Sequence, residues 1–271
     1  MTASSIWSNR SRLRTAALAW GQSLLLAAAA FWVVANGAER INYRWQWYRI
    51  SDFLIAERDG VLTAGPLLDG LLVTLEISFY SLVLTLILGL ATALLRLSLS
   101  LVGRALARGY IELIRNTPLL IQLYIMYFVL GPILGWDRIT TAVVSLGLFQ
   151  GAYTAEIIRA GLLALPRGQR EACHTLGLTA FDSYRYVILP QVVRNMLPPL
   201  TNEAVSLIKN SSIVSVIAIF DLTTVGRNII ADTFLTFEIW LTVAAIYLIF
   251  TISLSTLSDT AERRMHADVR R

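Results

Sequence analysis

This chain of 271 residues has one lysine, one cysteine and two histidines. The lysine, Lys209, is followed by Asn210, so the phosphate-binding pattern GxxxxGK[ST] is absent. The single cysteine, Cys173, excludes an internal disulfide framework. The sequence has no HExxH zinc motif, no GxSxG nucleophile motif and no Cys/His cluster. We therefore expect a non-enzymatic chain with neither a metal nor a cofactor of its own.

Charged residues are also scarce, and apolar residues are correspondingly abundant. Charged residues make up 15% of the chain and hydrophobic residues 56%, against about 45–50% apolar residues in soluble domains. Mean hydropathy is +0.62 and the isoelectric point about 9.6. The basic residues lie beside the apolar runs and form no separate domain, which favours a membrane protein over a nucleic-acid-binding one.

Six apolar stretches are long enough to cross a bilayer, which takes about 20 helical residues. They are residues 15–37, 67–95, 118–134, 140–163, 198–220 and 237–257. The sequence thus predicts an all-α fold, a polytopic bundle of transmembrane helices.

The arginines predict the orientation. Placing the N-terminus inside leaves sixteen arginines in internal segments and six in external ones. By the positive-inside rule, both termini and the polar segment 163–190 are then cytoplasmic. The first stretch also resembles a signal peptide, but its length and its tryptophans, Trp20 and Trp32, favour a retained anchor.

Aromatic residues and arginines alternate in the segment that follows the first stretch, residues 39–65. This pattern predicts a helix lying in the outer membrane interface, and a docking surface for an external partner is the alternative.

The polar segment 163–190 predicts two short helices joined at a glycine. Pro166 suits the start of the first helix. Gly177 suits a left-handed turn at its end. Thr179, with Asp182 three residues later, resembles a capping box that starts a second helix. We expect Leu189-Pro190 to end that second helix.

Residues 171–190, EACHTLGLTAFDSYRYVILP, resemble the EAA loop of permeases of ATP-binding cassette (ABC) importers. The family pattern is EAA, three residues, Gly, nine residues, Ile, one residue and Leu-Pro. The matching residues are Glu171, Ala172, Gly177, Leu189 and Pro190. Cys173 replaces the second alanine and Val187 the isoleucine. The resemblance implies a coupling helix that docks on a cytoplasmic ATPase through Glu171; a local pair with Arg167 is the alternative.

Four further stretches resemble the polar amino-acid uptake branch of these permeases, which includes histidine, glutamine and arginine permeases. They are residues 67–98, 110–128, 151–172 and 197–217. The resemblance implies a type I importer permease domain over residues 67–264, which contains the coupling loop 163–190. It leaves residues 1–66 as an additional helix with an interfacial segment and residues 265–271 as a cytoplasmic tail.

Polar and ionisable residues within the apolar stretches are candidates for the substrate path. A zwitterionic amino acid needs an acceptor for its ammonium group and donors for its carboxylate. The candidates are Gln150, Glu156, Asn202, Glu203 and Lys209. Two alternatives stay open: Glu156 pairs with Arg159, or Lys209 bonds carbonyls at a subunit interface.

The resemblance implies an importer permease in a bacterial inner membrane, acting with other proteins. The expected partners are a cytoplasmic ATPase dimer that binds ATP and magnesium, a second permease copy or paralogue, an external solute-binding protein and the lipid bilayer. The runner-up is the same architecture importing another small polar solute, such as an opine. An ion-gradient-driven transporter is a third possibility; it would show paired broken helices in two related halves.

Overall fold

The computed structural model describes residues 20–26, 28–29, 32, 36–37, 43–58 and 60–267, except for the side chains of residues 58, 167, 170 and 261–267. Its contacts divide the chain into two units, Met1–Trp47 and Tyr48–Arg271. In the first unit, the described residues between 20 and 37 are helical. Much of the predicted first span, 15–37, lies outside the described residues, so that span stays a prediction.

A short helix and a β-hairpin occupy much of the segment for which an interfacial helix was predicted. The elements are a 3-10 turn (Trp47–Arg49), helix α1 (Ile50–Leu54) and the antiparallel strands β1 (Ile55–Arg58) and β2 (Val61–Ala64). The helix prediction is therefore wrong for the residues in the strands. Gly60 in the hairpin turn has a φ of +77°. Asp59-Gly60 is a strong hairpin signal that the sequence reading missed.

Helix α2 (Pro66–Leu97) has small and hydroxylic residues on its buried face and large apolar residues on its exposed face. The buried positions recur every three or four residues and include Thr74, Ser78, Ser81, Thr85, Gly89 and Thr92. The exposed positions include Leu72, Phe79, Leu86, Leu90 and Leu94. Small residues let membrane helices approach each other closely, while leucine and phenylalanine side chains are favourably solvated by lipid acyl chains. This is the pattern of a membrane-spanning helix.

Helix α3 (Leu101–Arg115) lies nearly perpendicular to the helical segment after it. That segment comprises α4 (Leu119–Tyr124), a π turn (Ile125–Leu130) and α5 (Gly131–Leu134). The two directions differ by 106°. Pro118, at the N-cap of α4, has an extended backbone with ψ 139°. The side-chain amide of Gln122 donates to the carbonyl of Ile114 at 2.8 Å and so bridges the bend.

Helix α6 (Arg138–Leu163) packs along α2 more extensively than any other pair of elements. Asp137 caps it, since its carboxylate accepts the N–H of Thr140 at 3.1 Å. Hydrogen bonds from Thr140 hold the pKa of the Asp137 carboxyl below its usual range. A Cβ atom on Gly89 of α2 would lie 2.5 Å from Cγ2 of Thr154, so glycine permits this close approach.

The segment after α6 begins as the sequence predicts and ends differently. Helices α7 (Arg167–Thr175) and α8 (Ala180–Asp182) flank the turn at Gly177. A π turn (Ser183–Ile188) then joins α8 to α9 (Leu189–Asn210) without interruption. The prediction that Leu189-Pro190 ends a helix is therefore wrong. The N–H of Leu189 bonds the carbonyl of Tyr184, five residues back, and this wider turn accommodates a proline without an N–H.

The predicted fifth span, 198–220, begins too late, because Pro198 and Pro199 lie inside α9. A 3-10 turn (Ser211–Ile217) continues α9, and Ala218 ends it at a φ of +57°. Helices α10 (Leu222–Thr233) and α11 (Thr236–Ala267) follow. The buried Asp221 caps α10 by accepting the backbone N–H groups of Thr223 and Thr224.

Among the residues that the structure describes, α2, α6 and α11 can each cross a membrane by length and composition, and the number rises to five if each of two bent pairs is one span. One pair is α3 with α4–α5, and the other is residues 180–217 with α10, bent by 50°. These five correspond to the predicted second to sixth spans. Helices predominate throughout the described residues, as the predicted fold class requires.

Candidate functional site

The junction between α7 and α8 is a Schellman turn. Gly177, at a φ of +71°, and Leu178 both donate their N–H groups to carbonyls in the last turn of α7, at 3.0 and 3.1 Å. Thr179 then caps α8, since its hydroxyl oxygen accepts the N–H of Asp182 at 3.1 Å. Both capping signals predicted from the sequence are present. The turn is held by its own hydrogen bonds.

Helix α7 presents two of the residues that match the EAA pattern. Glu171 and Ala172 are exposed, whereas Cys173 is 3% exposed. No ion pair of Glu171 occurs among the side chains that the structure describes, and the side chain of Arg167 is not one of them. Glu171 is thus accessible at the surface, and the alternative pair with Arg167 lies outside the described side chains.

The other two matching residues, Leu189 and Pro190, are exposed at the start of α9. The side-chain amide of Gln191, next in the chain, donates to the carbonyl of Val187 at 2.8 Å and lies 3.5 Å from Oε1 of Gln169 on α7. Gln191 thus links the first helix of the segment to the helix that leaves it.

Three polar side chains meet where α6 packs against α9, and we call them the polar cluster. Gln150 of α6 is 4% exposed. Its amide nitrogen donates to Oε2 of Glu203, and its amide oxygen accepts from Nδ2 of Asn210 at 3.4 Å. Glu203 is half-buried, so a carboxylate and two amides share one partly enclosed site. Such a group offers an acceptor for an ammonium ion and donors for a carboxylate.

Asn210 belongs to the polar cluster, although the sequence did not predict it as a residue of the substrate path. It lies seven residues after Glu203, which is two helical turns and the same face of α9. The seven-residue spacing from Glu203 is the sequence signal that could have identified Asn210.

Asn202 and Lys209 form a second row on α9 beside the polar cluster. They are also seven residues apart, and both are exposed. Among the described residues no ion pair involves Lys209. The polar cluster and this row give α9 a continuous polar strip, open at the surface of the chain.

Glu156 does not join the polar cluster. Its carboxylate lies 2.7 Å from Nη2 of Arg159 and 3.9 Å from Nη2 of Arg96 at the end of α2. It lies six residues after Gln150, about 9 Å along the helix and on another face. The local ion pair that the sequence left as an alternative is thus present.

Metal ligands are not assembled in the described part of the chain, where no group of three or more His, Cys, Asp or Glu residues could hold an ion. His174 is exposed on α7.

A family model described as a binding-protein-dependent transport system inner membrane component matches residues 85–270. The chain belongs to this family. Among individual relatives, it is similar to the glutamine transport system permease protein GlnP of Escherichia coli (strain K12), at 41% identity over 202 residues, 73% of this chain and 92% of GlnP. It is also similar to the nopaline transport system permease protein NocM of Agrobacterium fabrum (strain C58 / ATCC 33970), at 34% identity over 200 residues, 70% of this chain and 83% of NocM.

Solved structures of this permease class share the fold. A crystal structure of an amino acid ABC transporter with histidines is 40% identical, with a TM-score of 0.68 over 73% of this chain and 94% of that one. An inward-facing MetNI methionine ABC transporter is 21% identical, with a TM-score of 0.62 over 73% of this chain and 95% of that one, a likeness in fold alone. The type I importer permease fold implied by the sequence is confirmed.

Proposed function

We propose that this chain is the permease subunit of an ABC importer for a polar amino acid, and that segment 163–190 couples it to a separate ATPase. The 41% identity to GlnP over 92% of that protein supports this function most strongly. The polar cluster supports the solute class, since it holds both an anionic acceptor and amide donors.

The connectivity of the chain supports a coupling mechanism. Helix α6, which carries Gln150, leads into the segment, and the continuous helix over residues 180–217, which carries Glu203 and Asn210, leads out of it. Both walls of the polar cluster are therefore covalently joined to the same helix–turn–helix unit. A force applied at Glu171 and the turn of Gly177 moves these walls relative to each other. We propose that the ATPase uses this lever for alternating access.

The proposed partners follow from the family. A cytoplasmic ATPase dimer holds ATP and magnesium, because this chain has no phosphate-binding loop. A second copy or paralogue completes the translocation path, since Asn202 and Lys209 are open at the surface of one chain. A solute-binding protein delivers the amino acid from outside. The membrane is the bacterial inner membrane, with both termini and segment 163–190 in the cytoplasm.

An opine is the second candidate substrate, because NocM is 34% identical to this chain. The family assignment favours the ATP-driven class over the ion-gradient-driven transporter that the sequence left open.

Transport in proteoliposomes tests the proposal. The chain is reconstituted with its cognate ATPase and binding protein, and uptake of radiolabelled glutamine, histidine, arginine and nopaline is measured with ATP inside the vesicles. We expect ATP-dependent accumulation of an amino acid. Nopaline-selective uptake would favour the second candidate. Uptake driven by an ion gradient without ATP would overturn the proposal.

Glu203→Gln tests the polar cluster itself. The variant keeps an oxygen that accepts from Gln150 and loses the negative charge. If Glu203 binds the substrate ammonium, the KM for uptake rises about tenfold, which corresponds to about 1.4 kcal/mol. Glu112→Gln, an equal charge change at an exposed position on α3, is the matched control and leaves KM unchanged. An unchanged KM in Glu203→Gln would remove Glu203 from the substrate path.

A further inference from the structure

Helix α3 (Leu101–Arg115) has three distinct faces, and one of them contains its buried residues. The packed face contains Gly103, Ala107, Ile111 and Ile114. It contacts α2 and α6, and the hydroxyl of Tyr110 donates to the carbonyl of Leu148 at 2.6 Å. The helix is therefore fixed in direction, while its other two faces are largely exposed.

The second face is apolar and exposed. Val102, Leu106 and Leu113 are 70%, 67% and 66% exposed, and their spacing of four and seven residues places them on one side. Leu99, just before the helix, is 94% exposed. In water such a row would be unfavourable, at about 25 cal/mol per Å² of exposed apolar surface. An apolar medium on this side of α3 removes that cost.

The third face is cationic and lies on the side opposite the apolar row. Arg104, Arg108 and Arg115 fall within a narrow sector at spacings of four and seven residues. Glu112 is the acidic residue of α3 beside this sector, and its carboxylate accepts from Nδ2 of Asn116 at 3.0 Å. Glu156 of α6 interacts electrostatically with Arg115. Arg115 lies over the ring of Tyr153, and Arg108 is exposed. Arg104 is half-buried, and its Nη1 lies 3.5 Å from the carbonyl oxygen of Ser98. The face carries a net positive charge.

The direction of α3 explains why both open faces occur on one helix. The segment after it, residues 119–134, lies within the apolar stretch 118–134 that the sequence predicts to span the membrane, and it is bent from α3 by 106°. If that segment crosses the bilayer, α3 lies close to the membrane plane. An amphipathic helix in that plane turns its apolar side to the acyl chains and its basic side to the headgroups and water.

We propose that α3 is an interfacial helix of the permease, and that Arg104 and Arg108 bind the phosphodiester groups of anionic phospholipids. Guanidinium groups bind phosphate oxygens bidentately, and each basic residue near an anionic membrane surface adds to the attraction. A soluble partner such as the ATPase fits less well. Helix α3 packs against α2, a candidate membrane span whose exposed residues include Leu90 and Leu94. An apolar row opposite a cationic face matches the acyl chains and anionic headgroups of a membrane interface.

Fluorophore quenching locates the helix. In a Cys173→Ala background, the full chain carries an environment-sensitive label at Leu106→Cys or at Glu112→Cys and is reconstituted in vesicles. We expect a 5-doxyl acyl chain to quench the Leu106 label at least threefold more than the Glu112 label, and aqueous iodide to show the reverse order. Equal iodide quenching at both positions would overturn the interfacial placement. So would shielding of the Leu106 label that occurs only after the ATPase is added.

Lipid selectivity tests the arginines separately. A label at Gly109→Cys suits this purpose, because no atom lies within 4 Å of a Cβ built at Gly109. The doxyl chain is carried by either phosphatidylglycerol or phosphatidylcholine. We expect quenching about threefold stronger with phosphatidylglycerol, falling to equal quenching in Arg104→Gln/Arg108→Gln. Glu112→Gln, the matched control, keeps or increases the preference. Equal quenching by both lipids in the parent would overturn the headgroup assignment.

Discussion

Lys209, the single lysine of the chain, lies on the exposed polar strip of α9. An ammonium group in the hydrocarbon core costs about 2.5–3.5 kcal/mol even on insertion scales. Asn202 lies two turns away on the same row, and the polar cluster borders it. Lipid would have to solvate all of these groups at once. A translocation path or a neighbouring permease subunit solvates them at lower cost.

We therefore predict that Lys209→Leu inserts into the membrane as well as the parent but transports at least about tenfold less. Lys209→Arg retains more activity, because it keeps the charge and changes only the donor geometry. Uptake normalised to membrane abundance is the measurement for both variants. Parental uptake in Lys209→Leu would mean that the lysine reaches the membrane interface as a passive side chain.

At the scale of elements, segment 163–190 is a rigid unit because its turn is internally hydrogen-bonded. Gly177 contributes its left-handed conformation, and nothing lies within 4 Å of a Cβ built on it. The effect of a substitution at Gly177 therefore depends on the strain of the left-handed backbone and on the charge that the new side chain places at the surface. Steric clashes do not contribute. Asparagine tolerates the left-handed region, so it separates these two effects.

Accordingly, Gly177→Asp should abolish ATP-coupled uptake at normal membrane abundance, since it places a charge at the proposed docking surface. Gly177→Asn introduces a neutral side chain of nearly the same shape as aspartate, and it should keep at least half of the uptake of the parent. The readouts are uptake and the stimulation of the ATPase by the loaded binding protein. If both variants behave like the parent, this turn is not part of the coupling surface.

At the scale of the whole molecule, the proposed topology places segment 163–190 in the cytoplasm and the hairpin outside. Cys173 is a poor reporter for this question, since its thiol is 3% exposed. Gly168 is exposed in α7, with nothing within 4 Å of its Cβ position, and Val61 is 62% exposed in β2. Engineered cysteines at these two positions report on opposite sides.

In a Cys173→Ala background, we predict that a membrane-impermeant maleimide labels Val61→Cys in cells whose inner membrane is intact. It should label Gly168→Cys only after that membrane is permeabilised. Because each variant is the control for the other, the reversed pattern would invert the topology. Labelling of both in intact cells would place the two segments on the same side.

The sequence by itself determined the membrane spans that begin and end at strong local signals. The apolar runs that became α2, α6 and α11 needed only length and hydropathy, because a helix in lipid satisfies its own backbone. The turn at Gly177 and the cap at Thr179 were equally predictable, since each involves residues within five positions. The helix bounds near Pro190 and Pro198 were not, because a proline ends or continues a helix depending on the turns around it.

The tertiary structure alone decided which polar groups meet. Gln150 and Asn210 are sixty positions apart, and their contact exists because α6 and α9 pack side by side. Glu156 lies on the same helix as Gln150 but forms ion pairs with Arg159 and Arg96. Local pattern fixes which residues share a helical face; packing between helices fixes what that face meets.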